Sequence, residues 1–393
     1  MSPTLMNADA ALDRFVELTK IPGKSGDEKM VAQQIVQALL NAGLDGQQIA
    51  FDDANQRTRI PGNCGNLIVH LPGTGSGPTT MLSAHMDTVP ICVGSQPVRQ
   101  GDEMTSETPT GLGADDRSGC AAILTAAIER LNCGRVDLPP AVIAFFIQEE
   151  VGLEGARHLD KDLIGKVDRA FNFDGGSVDK LTNGAIGGER LEIEITGVAS
   201  HAGVAPEKGA SAITMASLAI ADLHQRGWLG KVVKDQGVGT SNVGVINGGE
   251  ATNVVTPQLT LRAEARSHDA NMRMAIVAEI RQAFENAVAN VCTEAGQCGQ
   301  LKFDSHVDYE AFRLPEDHPS ITAADAAVRD LGRTPYIEVA GGGLDANWLF
   351  IHGIESVTMG CGQCNIHTID ERLNIPDYLD ACRIATGLIT GKY

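Results

Sequence analysis

A chain of 393 residues with 43% hydrophobic content has the length for two domains and enough apolar side chains for a core in each. Its 50 Asp and Glu against 31 Lys and Arg leave a net charge of −19, which disfavours nucleic acid and anionic membrane as partners, because both would repel such a surface. The opening MSPTLMNADAALDRF lacks the basic and apolar blocks of a signal peptide, and no later stretch is apolar for long enough to span a bilayer, so a cytoplasmic protein is expected.

In chain order, helices are predicted over residues 10–18 and 27–42, followed by strands alternating with helices up to about residue 184, the rhythm of a largely parallel sheet. The pattern then changes. Strands over 191–196, 241–246, 258–266 and 301–309, with helices over 210–226 and 271–290, form a βαββαβ unit. A helix over 319–331 and the apolar strand 356–359 return to the first pattern. The expected fold is therefore an α/β domain with a mostly parallel sheet, split into residues 1–186 and 312–393 by an inserted βαββαβ, ferredoxin-like domain over 187–311. Nine cysteines at irregular spacing argue against a full disulfide framework. Cys361 and Cys364 have metal-like spacing but no second CxxC, so structural or incidental thiols are expected there.

Five segments carry candidate ligands, three of them at the ends of predicted strands, where α/β proteins gather ligands. The run AVIAFFIQEE ends in Glu149 and Glu150; neighbouring residues at a strand end leave in different directions, so one carboxylate can bind a metal while the other handles a proton. A solvated helix start would explain the same pair. In MLSAHMDTVP, His85 and Asp87 share one strand face, and Asp87 can fix the ring of a ligating His85. Asp115 and Asp116 precede an apolar helix in GLGADDRSG, where they could also serve as caps. Asp174 ends an apolar stretch in NFDGG, which alone reads as a turn. His367 lies in NIHTIDERLNI, with Glu371 four residues on.

In order and setting, these segments resemble the peptidase T-like branch of the co-catalytic zinc metallopeptidases, whose relatives include carboxypeptidase G, succinyl-diaminopimelate desuccinylase and aminoacylases. The resemblance runs from FVELTKIPGKSGDE through GNLIVHLPG, SAHMDTVP, GADDRSG, QEEVGLEGA, NFDGG, ASHAG and GGEATNVVTP to HTIDERLNI. It implies two divalent metal ions, zinc first, with cobalt or manganese also suited. His85, Asp115 and Asp174 would hold one ion, and Asp115, Glu150 and His367 the other. A shared water or hydroxide would then be the nucleophile, Glu149 the general base, and the Asp115–Asp116 peptide cis. Arg117 stands where Lys is common, with the register intact.

Further roles follow from the same resemblance. Catalytic tasks fall to Asp87 beside the metal and to His201 in GVASHAGVAP, which would polarise the scissile carbonyl. Asn253 and Arg266 would bind a substrate carboxylate, and Gly341 to Asp345 resembles a substrate loop. The expected activity is release of the N-terminal residue from di- or tripeptides. Carboxypeptidase or N-acyl amino acid deacylase activity on the same fold is the alternative, and a non-catalytic binding protein is disfavoured by the intact Glu149. The inserted domain is also a candidate lid and a surface for pairing two subunits.

Overall fold

A computed structural model describes residues 6–393. They form two compact units. One holds the chain up to Ala185, Arg313–Ala340 and Leu344–Tyr393, and the other holds Ile186–Phe312 with Gly341–Gly343. Among the described residues no helix is long and apolar enough to cross a membrane.

The first unit is built on a nine-stranded sheet whose middle runs in the order Leu67–Leu71, Ala141–Phe146, Thr80–His85, Arg169–Phe173, Ser356–Met359 and Lys180–Ala185. The four inner strands, from Ala141–Phe146 to Ser356–Met359, are mutually parallel, whereas Leu67–Leu71 and Lys180–Ala185 pair antiparallel on either side. The sheet is thus parallel at its centre and mixed towards its edges. Thr80–His85, Ala141–Phe146 and Arg169–Phe173 are buried at every position. That is why they read as continuous apolar runs rather than as alternating ones.

Helix Ala114–Asn132 is buried along most of its length and packs against strand Thr80–His85 and against helices Ala8–Lys20 and Ile375–Ile389. Its small residues permit that enclosure. A Cβ at Gly119 would lie 2.0 Å from the Phe173 carbonyl oxygen, so only glycine lets the helix approach the end of that strand. Three adjacent parallel strands therefore finish side by side with His85 as the last residue of one, Asp174 directly after another, and Glu149 and Glu150 in the loop after the third. Asp115 and Asp116 enter from the start of the buried helix.

The second unit is a five-stranded antiparallel sheet in the order Gly230–Lys234, Gly237–Gly248, Gln258–Ser267, Gly187–Thr196 and Gln300–Tyr309. Strand Gly187–Thr196 alternates as the sequence does, burying Leu191, Ile193 and Ile195 while Glu192 and Glu194 face out. Helices Ala212–Gln225 and Ala270–Asn290 contribute Met215, Leu223, Ile276 and Phe284 to the same core. The unit has one strand more than the sequence pattern predicts, Gly230–Lys234, which forms a tight hairpin with its neighbour. Its short, glycine-flanked Lys-Val-Val-Lys core carries too little alternation to register as a strand. Cys292 and Cys298 form a disulfide within this unit, and the other seven cysteines, Cys361 and Cys364 included, are free.

Candidate metal centre

Four of the expected metal ligands meet around His85. Its Nδ1 lies 3.0 Å from the Asp87 backbone oxygen and 3.4 Å from that residue's carboxylate. Both contacts have Nδ1–H donating to Asp87 and turn Nε2 towards the acidic cluster, where it donates to a carboxylate in the absence of a cation. There Nε2 is 3.1 Å from Asp115 Oδ1 and 4.0 Å from Asp174 Oδ1. On the other side of the same carboxylate, Asp115 Oδ2 is 3.3 Å from His367 Nε2, which is also 2.9 Å from Glu150 Oε2. The five side chains thus converge, and Asp115 turns one oxygen towards each histidine.

His85, Asp115 and Glu150, and separately His85, Asp116 and Asp174, each bring ligand atoms within 4.8 Å of one another. The two adjacent aspartates are distinguished by their partners. Asp116 Oδ2 accepts the His85 backbone N–H at 3.1 Å, while its Oδ1 accepts from Gly119 N at 3.0 Å and Gln363 Nε2 at 2.9 Å. Its acceptor capacity is largely spent on orienting neighbours, whereas Asp115 points both oxygens at histidines. The peptide between them is cis.

The electrostatics are those of crowded carboxylates. Burial and the nearby Asp115 push Asp174 up to about 7. Burial likewise raises Glu150, and it raises Glu149 well above its ordinary value, with Asp174, Asp345 and Glu150 adding to the effect. Burial opposes charge on His85, yet its hydrogen bonds to Asp115 and Asp87 outweigh that and raise it; hydrogen bonds to Asp115 and Glu150 lift His367 to about 10. Nitrogen and oxygen donors facing one another, with protons held in place of a cation, suit divalent ions such as zinc.

Several further groups position the site, and of these Gln363 was not singled out from the sequence. Glu371 Oε2 accepts from Gly113 N at 2.7 Å and its Oε1 from Asp115 N at 3.1 Å, which fixes the backbone that presents Asp115. Gln363, inside the Cys361 to Cys364 segment, reaches both Asp116 and Asp174. Asp345 is fully buried, with no hydrogen-bond partner for either oxygen, and burial raises its pKa well above the usual range. The Asp87 carboxylate does more than hold the His85 ring. It accepts the backbone N–H groups of Glu149 at 3.0 Å and Glu150 at 3.2 Å, and the Ser25 hydroxyl at 2.7 Å. Only contacts between distant residues reveal such acceptors.

The remaining expected residues lie in the second unit. The backbone of Ala202 donates to Asn253 O at 2.9 Å, so the His201 and Asn253 loops run alongside each other. His201 is exposed, and its Nδ1 accepts from Gly203 N at 3.2 Å, which leaves Nε2 as the protonated, donating nitrogen. Arg266 uses its planar fork on Glu264, at 3.1 and 3.0 Å. The Gly341–Gly343 run groups with this unit, where a Cβ at Gly343 would meet the Tyr309 ring at 2.5 Å.

A cluster of this kind at the carboxyl ends of parallel strands belongs to the class of metal-dependent hydrolases. Residues 81–391 match the model of peptidase family M20/M25/M40. An uncharacterized protein of Bacillus subtilis, YqjE, is 31% identical over 98% of this chain and 99% of its own. A tripeptidase structure from Staphylococcus aureus superposes with a TM-score of 0.88 at 28% identity, covering 99% of this chain and 100% of that one. The aminopeptidase PepT structure from Bacillus cereus gives 0.85 at 29% identity, covering 98% of each. The chain belongs to the M20/M25/M40 peptidase family and is a metallopeptidase.

Proposed function

We propose that this chain is a dinuclear zinc exopeptidase that releases the N-terminal residue of di- or tripeptides in the cytoplasm. The observation that carries the reading is the two-sided placement of Asp115, 3.1 Å from His85 and 3.3 Å from His367, which suits a carboxylate shared by two cations. In this reading His85, Asp115 and Asp174 hold one ion, and Asp115, Glu150 and His367 hold the other. Cobalt or manganese would suit the same donors. When bound, the ions would polarise the scissile carbonyl and make water more acidic.

Glu149 takes the proton from the attacking water and returns it to the leaving amine. Burial raises its pKa, the direction that makes a carboxylate a better proton acceptor. Asp87 fixes the His85 ring and the backbone of both glutamates. His201, donating through Nε2, stabilises the developing oxyanion, while Asn253 and Arg266 receive the peptide's free carboxylate, for which Arg266 exchanges Glu264. The second unit in this reading serves as lid and as the surface that pairs two subunits. The short-peptide preference is supported by the tripeptidase and aminopeptidase PepT likenesses.

The test compares a free tripeptide, its N-acetyl form and its C-amide on one metal-loaded preparation, with products identified by mass. Amidation removes a charge-assisted hydrogen bond worth about 1.5–3 kcal/mol, so the C-amide should be a much poorer substrate. Acetylation should block cleavage. Efficient release of the C-terminal residue, or of acetate, from the acetylated peptide would make the enzyme a carboxypeptidase or deacylase instead.

A further inference from the structure

Three consecutive backbone N–H groups at the end of the Ala141–Phe146 strand point at two carboxylates. Gln148 donates to Glu28 Oε1 at 3.1 Å, Glu149 to Asp87 Oδ1 at 3.0 Å and Glu150 to Asp87 Oδ2 at 3.2 Å. Gln148 is fully buried and holds a left-handed backbone, φ 52°, a conformation that is sterically disfavoured for a residue with a Cβ and persists only when its surroundings hold it. Glu28 is itself fully buried at the N-cap of helix Lys29–Asn41, yet its side chain makes no capping bond to that helix. It turns instead to Gly26 N, at 2.7 Å, and across the fold to Gln148. The segment carrying it is tied down independently. Ser25 donates to Asp87, Thr88 N donates to Gly23 O at 3.0 Å, and the buried Arg117 guanidinium donates to the same Gly23 oxygen at 3.2 Å.

We propose that Glu28 is a positioning residue for the hydrolytic reaction: with Asp87 it clamps the peptide run Gln148 to Glu150, and so sets the separate directions in which Glu149 and Glu150 leave the chain. The proposal rests on the reading of Glu149 as proton acceptor and Glu150 as metal ligand. Gln148 is the hinge of the arrangement. Were its N–H to lose its acceptor, the left-handed turn would relax, and both following side chains would shift together. Burial and the neighbouring Asp87 raise Glu28 to about 7, so an uncharged acceptor is tolerated at this position. Glutamine can therefore replace it, because its amide oxygen can accept the same two N–H groups. Aspartate, one methylene shorter, cannot span the distance.

The experiment prepares Glu28→Gln, Glu28→Ala and Glu28→Asp in the full chain, saturated with zinc, beside Glu149→Gln as a control. It measures kcat, KM, and hydrogen exchange of the peptide spanning residues 147–151 without substrate. Glu28→Gln should stay within about threefold of the parent, while the alanine and aspartate variants lose kcat by about 10- to 100-fold with KM little changed. Exchange at Gln148 should quicken only in the latter two. Parental kcat in the alanine and aspartate variants, an equal loss in the glutamine variant, or unaltered exchange at Gln148 would overturn the proposal. If Glu28→Ala does not fold, the aspartate and glutamine pair decides. Full turnover by Glu149→Gln would instead defeat the underlying functional reading, so the two failures are told apart.

Discussion

Asp174, Glu150 and Glu149 hold protons more tightly than free carboxyls because each is buried beside other acidic groups. This has a consequence for stability. Asp174 titrates near 7 in the metal-free fold against an ordinary 3.8, so the folded state binds the extra proton between those values. Its stabilising contribution is complete below the unfolded value and is lost as pH rises through about 7. His367, raised to about 10, acts in the same direction, being lost above the ordinary histidine range. Chelator-stripped protein should therefore melt at a lower temperature at about pH 8 than at about pH 6, whereas bound divalent ions should remove most of that trend by replacing the protons. Calorimetry with and without chelator measures it. A stripped Tm that is flat or rises across this window would contradict the electrostatic picture of the site. At this scale the sequence displayed residue types in a telling order but not their partners. Glu28 was not singled out, and Glu371 was noted only by its place after His367, because their role is to accept backbone N–H groups 120 and 258 positions away along the chain.

At the scale of elements, the site depends on how closely helix Ala114–Asn132 approaches the strand that presents Asp174. Gly119→Ala would force a Cβ to within 2.0 Å of the Phe173 carbonyl oxygen, and backbone cannot yield as a side-chain tip can. The expected cost is about 1–3 kcal/mol, read from denaturant unfolding, together with weaker metal retention because the helix also carries Asp115. Unchanged stability would show that the contact relaxes freely. The inner strands were legible in the sequence because complete burial leaves an unbroken apolar signature. Strand Gly230–Lys234 was not, since a five-residue edge strand with two lysines and an exposed Val233 buries only Val232, too little to display an alternating pattern.

On the scale of the whole molecule, chain order and spatial order differ in a way that explains the scattered motifs. The second unit occupies the chain between Asp174 and His367, yet both residues belong to the first unit. Segments before and after the intervening residues share one sheet, as the parallel pairing of Ser356–Met359 with Arg169–Phe173 requires. The return of the apolar pattern near residue 356 announced this split. The disulfide between Cys292 and Cys298 was not foreseeable, because nine irregularly spaced cysteines offer many pairings and only the fold brings these two together. The acidic net charge has a partly local source, since eight carboxylates, Asp87, Asp115, Asp116, Glu149, Glu150, Asp174, Asp345 and Glu371, are buried or half-buried in this unit. Metal binding offsets that concentration of charge.

The central claim is that two neighbouring glutamates do different work, one on the proton and one on the metal. It is tested most directly by measuring metal content and turnover on Glu149→Gln and Glu150→Gln prepared side by side. Glu149→Gln should retain the parent's full metal complement while losing at least about 100-fold in kcat, because coordination survives and the proton acceptor is gone. Glu150→Gln should lose metal from one site, with activity partly recovered by excess zinc. Equal metal loss in both variants, or near-parental turnover by Glu149→Gln, would contradict the account.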